Sequence, residues 1–75
     1  MNKSNNEKQV LYLVFGGELE EISKKVIRNP DDIDLVGIFS SRDKAYDAWK
    51  AKSQQMVDNA LMRYFIIDIP LSFQD

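Results

Sequence analysis

Hydrophobic positions along the chain form three strand-like runs and one stripe with a helical period. Val10-Leu11-Tyr12-Leu13-Val14-Phe15 is continuously apolar and rich in β-formers. It predicts a strand buried on both faces, stopped by a turn at Gly16-Gly17. Leu19 and Ile22, at i and i+3, allow one or two turns of helix over residues 18–23, and Lys25-Val26-Ile27 could form a short strand after them. Asn29-Pro30-Asp31-Asp32 is a strong turn signal, since Asn suits the first turn position and Pro presets φ for the second. Ile33-Asp34-Leu35-Val36-Gly37-Ile38-Phe39 reads as the next strand, and Gly37 inside it predicts a bulge or the close approach of another backbone or ring.

The best-marked element follows. Ser40-Ser41-Arg42-Asp43 offers a capping hydroxyl, with an acid three residues after Ser40. Ala45, Ala48, Trp49, Lys52 and Met56 then make one stripe of a helix that ends near Asp58-Asn59. Met62 to Ile69 is the last strand, closed by Pro70. The predicted fold is α+β: a small antiparallel sheet of three to four strands with one main helix on one face, in the order β, short α, β, β, α, β. Residues 10–70 form its single domain, residues 1–9 a disordered polar tail, and residues 71–75 a short C-terminal tail.

A sheet must bury each apolar face against something. By alternation Val10, Tyr12 and Val14 oppose Leu11, Leu13 and Phe15; Phe65, Ile67 and Ile69 oppose Tyr64 and Ile66; Ile33, Leu35 and Phe39 oppose Val36 and Ile38. Both faces are apolar in all three strands. A single helix of about 16 residues, and so about 24 Å, covers one of them. The uncovered remainder is expected to mark an interface, through which the chain forms a homodimer or docks on a protein partner. The competing expectation is a monomer whose tail, Leu71 and Phe73 especially, folds back over that face.

Composition narrows the function more than it names one. The chain has 75 residues, with no Cys and no His, which excludes disulfides and Cys- or His-based catalysis and leaves no usual structural zinc ligand set. A chain of this size buries only about 60% of its unfolded surface, so burial by self-association matters. Ten basic residues against 12 acidic give a net charge of −2, and the bases are interleaved with acids, so neither nucleic acid nor a membrane is expected as a partner. No apolar run approaches the roughly 18–20 residues that span a bilayer, and the six residues from Val10 are too few for a secretory signal. A cytoplasmic protein is expected.

Candidate chemistry is sparse. Gly16-Gly17 could cradle a phosphate, but Glu18, Glu20 and Glu21 come directly after and would repel it. Asp31, Asp32 and Asp34 lack the spacing and the terminal Glu of a calcium loop and read as a solvated turn. Glu18, Asp58 and Asp68, with Arg63 or a tyrosine hydroxyl, are the acid–base candidates; Asp68 shares the face of Tyr64 and Ile66. Trp49, Tyr46 and Tyr64 either line an aromatic pocket or, at this spacing, form core. No cofactor is expected.

Four stretches together resemble a known family. They are Leu11 to Leu19 (LYLVFGGEL), Asp34 to Phe39 (DLVGIF), Ala45 to Ala51 (AYDAWKA) and Val57 to Ile67 (VDNALMRYFII), and in this order they look like the bacterial domain-of-unknown-function family 4170. The resemblance implies a small, free-standing, cytoplasmic bacterial protein with no assigned activity. Its strongest signatures fall on Gly16, Gly17, Glu18, Trp49, Asp58, Asn59 and Arg63. Val36-Gly37-Ile38-Phe39-Ser40-Ser41-Arg42 and Ala45 are also similar to one half of the sporulation-related glycan-binding repeat, which implies a truncated ferredoxin-like topology rather than glycan binding.

The leading expectation is a non-catalytic, self-associating interaction or regulatory module. The alternative is a cofactor-free enzyme or small-ligand binder with a pocket at the dimer interface. Its candidate residues are Glu18, Asp58, Asn59, Arg63, Tyr64 and Asp68.

Overall fold

A computed structural model describes residues 9–72 of the chain. The predicted disordered tail at residues 1–9 therefore lies almost wholly outside the described residues, as does Phe73. Four strands and one main helix make an open antiparallel α+β fold. The strands are β1 (Val10–Glu21), β2 (Lys24–Ile27), β3 (Asp34–Phe39) and β4 (Met62–Pro70), and the helix α1 (Arg42–Gln55) joins β3 to β4.

β1 organises the sheet. β3 pairs with Tyr12–Gly16 and β4 with Val10–Glu18, so the two occupy opposite edges of the same strand. Further along, the Leu19 amide donates to the Leu61 carbonyl on the β4 side, while the Glu18 carbonyl accepts from the Arg28 amide. Successive residues of a strand bond to opposite sides, so β2 continues on the β3 edge. The sheet is three strands wide over Tyr12–Gly16, where β3 and β4 both flank β1; Val10 and Leu11 pair with β4, and Leu19 and Glu21 with β2. β3 and β4 are both antiparallel to β1, and α1 crosses β1 to connect them.

Three expectations change here. Gly16-Gly17 does not stop β1, and residues 18–21 are strand rather than helix. Both glycines have ordinary extended backbones, since no residue among those described has a positive φ. They are small because of what packs on them: a Cβ on Gly16 would overlap the Tyr64 ring, and one on Gly17 would come to 3.1 Å from Ile27 Cδ1. With β4 long enough to pair through Glu18, the strand continues and Leu19 becomes one of the most buried side chains.

The second change is in β3. A bulge lets Val14 pair with Gly37 and Phe15 with Leu35, leaving Val36 as the extra residue. It shifts the alternation, so Leu35 shares a face with Ile38 rather than with Phe39. Gly37 has both features anticipated for it, since a Cβ there would sit 3.1 Å from the Phe39 ring.

The third concerns the helix. Its cap is Ser41, whose hydroxyl accepts from the Lys44 amide at 3.4 Å, so no acid completes a capping box from Ser40. The helix is 14 residues long and closes at Met56, earlier than Asp58-Asn59. Asn59 instead accepts the Leu61 amide at 3.1 Å and shapes the loop into β4. The Asn29 turn forms as anticipated: its side chain accepts from the Asp31 amide and caps a 3-10 turn over Pro30–Asp32.

The core is thin. Val14, Leu19, Ala45 and Tyr64 are the buried hydrophobic residues. Trp49 anchors α1 to the sheet through its indole N–H, which donates to the Tyr64 carbonyl at 2.8 Å. That carbonyl is on the outer edge of β4, where an unpaired strand would otherwise present it to another chain.

Candidate functional site

Three regions of the surface carry polar or apolar groups beyond what the core needs. The first is a row across the helix-side face. Gly16 pairs with Tyr64 on one side and with Asp34 on the other. The Tyr64 ring crosses the bare backbone of Gly16, and its hydroxyl donates to Asp34 Oδ2 at 2.6 Å. Lys52 of α1 brings its Nζ to 3.4 Å from the same oxygen. The hydrogen bond from Tyr64, more than the partial burial that opposes it or the nearby Lys52, holds the Asp34 carboxyl below its ordinary range. Burial first, and then the bond to Asp34, push the Tyr64 hydroxyl up to about 12. Neither group is primed for proton transfer near neutral pH. The row fastens β4, β1, β3 and α1 together.

The second region lies where α1 ends and β4 begins. A cleft of about 410 Å³ is lined by Trp49, Ser53, Met56, Val57, Asn59, Ala60, Met62, Arg63 and Tyr64. Arg63 turns back so that its Nη1 donates to the carbonyls of Ala60, at 2.5 Å, and Met62, at 3.0 Å. Behind it Glu18 accepts from Asn59 at 3.2 Å and meets Arg28 at 3.4 Å.

Of the sequence-derived candidates, Glu18, Asn59 and Arg63 thus gather at one end of the sheet, and Tyr64 reaches the same cleft with its ring while its hydroxyl is held by Asp34. Asp58 is exposed beside Asn59. Asp68 pairs with Tyr12, four residues and roughly 13 Å along β4 from Tyr64, and does not join them. Asp31 and Asp32 sit in the exposed turn while Asp34 faces Tyr64, and among the described residues no group of three or more potential metal ligands comes together. Tyr46 stacks at 5.4 Å on Trp49 beside the helix. Sequence reasoning missed the partnership of Asp34, Tyr64 and Lys52; its available signal was the glycine inside an apolar strand, which marks the passage of a ring.

The third region is the sheet face away from α1. By register it presents Leu11, Leu13 and Phe15 of β1, Leu35 and Ile38 of β3, and Phe65, Ile67 and Ile69 of β4. Phe15 and Phe65 lie ring to ring at 5.5 Å. Leu35 is 63% exposed, Ile38 55% and Ile67 44%. Without the short helix anticipated at residues 18–23, β2 borders one end of this face, with Lys25 and Ile27 beside Phe15, Phe65 and Ile67, and the rest stays exposed. Leu71 does not fold over it: its amide donates to the Gln9 carbonyl, which keeps the chain beside the start of β1. Among the described residues no helix is long and apolar enough to cross a membrane.

Comparison with known proteins places this architecture. Residues 10–69 match the model of a family described as a domain of unknown function, DUF4170. An NMR structure of a protein from Caulobacter crescentus is similar, with 43% identity over 91% of this chain and 90% of that one, at a TM-score of 0.68. No curated protein matches.

Proposed function

The chain belongs to the DUF4170 family, a domain of unknown function, and from that premise we propose that it is a non-catalytic interaction or regulatory module that self-associates through the open face of its sheet. The observation that carries this reading is the exposure of Leu35, Ile38 and Ile67 beside the Phe15–Phe65 pair on the sheet face away from α1. Contiguous apolar surface of this kind marks interfaces.

A second copy is the occupant that fits. β4 flanks β1 over Val10–Glu18 and β3 over Tyr12–Gly16, and the exposed Leu35, Ile38 and Ile67 lie within this stretch. The centre of the face is uncharged, so it meets its own copy without opposing like charges. The titratable groups support the non-catalytic half of the reading, since Asp34 and Tyr64 hold each other in their resting protonation states.

Light scattering coupled to size exclusion tests this. The wild-type chain at about 100 µM is expected to elute at twice its mass of 8.7 kDa, and Ile67→Lys as a folded monomer. A wild-type monomer at that concentration overturns the reading. The setting proposed with it is the bacterial cytoplasm, which cell fractionation checks.

The alternative, a cofactor-free enzyme or small-ligand binder, draws on the cleft beside Trp49, where Asn59, Ser53 and Arg63 stand next to Met56 and Met62. That cleft is at the end of α1, not on the open face. A compound that raises the melting temperature of the wild type but not of Arg63→Ala would favour it.

A further inference from the structure

The two halves of the open face differ, and this difference gives the proposed self-association an orientation, which rests on that self-association being real. We infer that two copies stack face to face with their β1 strands antiparallel, about a two-fold axis that crosses β1 between Leu13 and Phe15.

Charge is the first reason. Lys25 lies with Phe15, Ile27, Phe65 and Ile67 around one hollow of the face. The other half, around Leu11, Leu13, Ile38 and Ile69, is uncharged. A parallel stack brings the Lys25 cations of the two copies into the same half of the interface, with the sheets only about 10 Å apart. An antiparallel stack sets them over the uncharged half, where the long side chains lie along apolar surface with their heads in water.

Shape is the second reason. The aromatic pair Phe15 and Phe65 occupies the half that carries Lys25, and branched aliphatic residues occupy the other. With the axis between Leu13 and Phe15, the rings of each copy meet Leu13 and Ile67 of its mate. Large groups then fit among smaller ones, as in aligned sheet packing.

The chain has no cysteine, so one introduced thiol reports cleanly. Ser23, exposed in the turn between β1 and β2, is at the far end of the sheet from the uncharged half. Ser23→Cys with a spin label is expected to show an intermolecular distance of roughly 50 Å by pulsed dipolar spectroscopy, from the rise per residue along β1. A distance of roughly 20 Å or less means a parallel stack and overturns the orientation while leaving self-association standing. No intermolecular distance at about 100 µM overturns the self-association itself.

A second measurement is independent of the label. Wild type mixed with Lys25→Glu is expected to form heterodimers at the statistical half. Marked enrichment beyond half requires the two positions to face each other, and overturns the antiparallel arrangement.

Discussion

Tyr64 lies across Gly16, its ring in the space that a side chain on the central strand would fill, and its hydroxyl reaches Asp34 on the strand beyond. A single contact thus explains a glycine inside an apolar strand, a buried tyrosine and a partly exposed aspartate. Gly16→Ala is expected to destabilise the fold by about 1–3 kcal/mol, because the added methyl must displace the ring. Urea denaturation measures this. Combined with Tyr64→Leu, the loss should be clearly smaller than the sum of the two single losses, the mark of groups in contact.

The Asp34–Tyr64 bond also predicts how stability varies with pH. The folded-state pKa of Asp34 lies below its ordinary 3.8, so its contribution is present above that value and is lost as pH falls through the lowered one. Tyr64 has the opposite sign: raised from 10.0 to about 12, it contributes fully below pH 10 and progressively less as pH rises toward 12. Tyr64→Phe should flatten both limbs of the stability profile, the alkaline one because the phenol is gone and the acid one because Asp34 loses the main cause of its lowered pKa. At neutral pH the loss of the bond should cost about 1–2 kcal/mol. Thermal unfolding from about pH 2 to about pH 11 checks both limbs.

Trp49 combines packing with one hydrogen bond to the Tyr64 carbonyl. Trp49→Phe keeps most of the packing and is expected to cost about 1–2 kcal/mol. Trp49→Ala removes both and should cost about 3–5 kcal/mol, enough to unfold a domain with so thin a core. Because the indole caps an outer-edge carbonyl of β4, Trp49→Phe should also aggregate faster on mild heating, read by turbidity.

The two serines before α1 are expected to differ. Ser41→Ala removes the side-chain acceptor of the Lys44 amide and should cost about 1 kcal/mol. Ser40→Ala, at an exposed position outside the cap, should stay within about 0.5 kcal/mol. Equal losses at the two positions would contradict the observed cap.

Ile67→Lys separates stability from association. Its side chain is 44% exposed on the uncovered face, so in a folded monomer the lysine head can stay in water. The expected loss in stability for the isolated chain is about 1 kcal/mol or less, even as the mass by light scattering halves.

Several features were legible in the residues alone. The apolar runs from Val10, Ile33 and Met62 announced three strands, and the stripe through Ala45, Ala48, Trp49, Lys52 and Met56 announced the helix, because each pattern has the period of the element it builds. The surplus apolar face was legible too, as a count of faces against helices. Other features depended on residues far apart in the chain. Gly16-Gly17 has the same local appearance in a turn as in a strand; what makes it strand is β4 pairing through Glu18 and the Tyr64 ring filling the space above. The bulge at Val36, which moves Leu35 to the face of Ile38, arises from register against β1. The gathering of Glu18, Arg28 and Asn59 likewise needed the hairpin and the α1–β4 loop to arrive at one end of the sheet. Sequence by itself determined the elements and the two apolar faces, since those follow from periodicity within a segment. Tertiary structure decided how far β1 runs, which face remains open and which polar groups meet, since those follow from the chain folding back on itself.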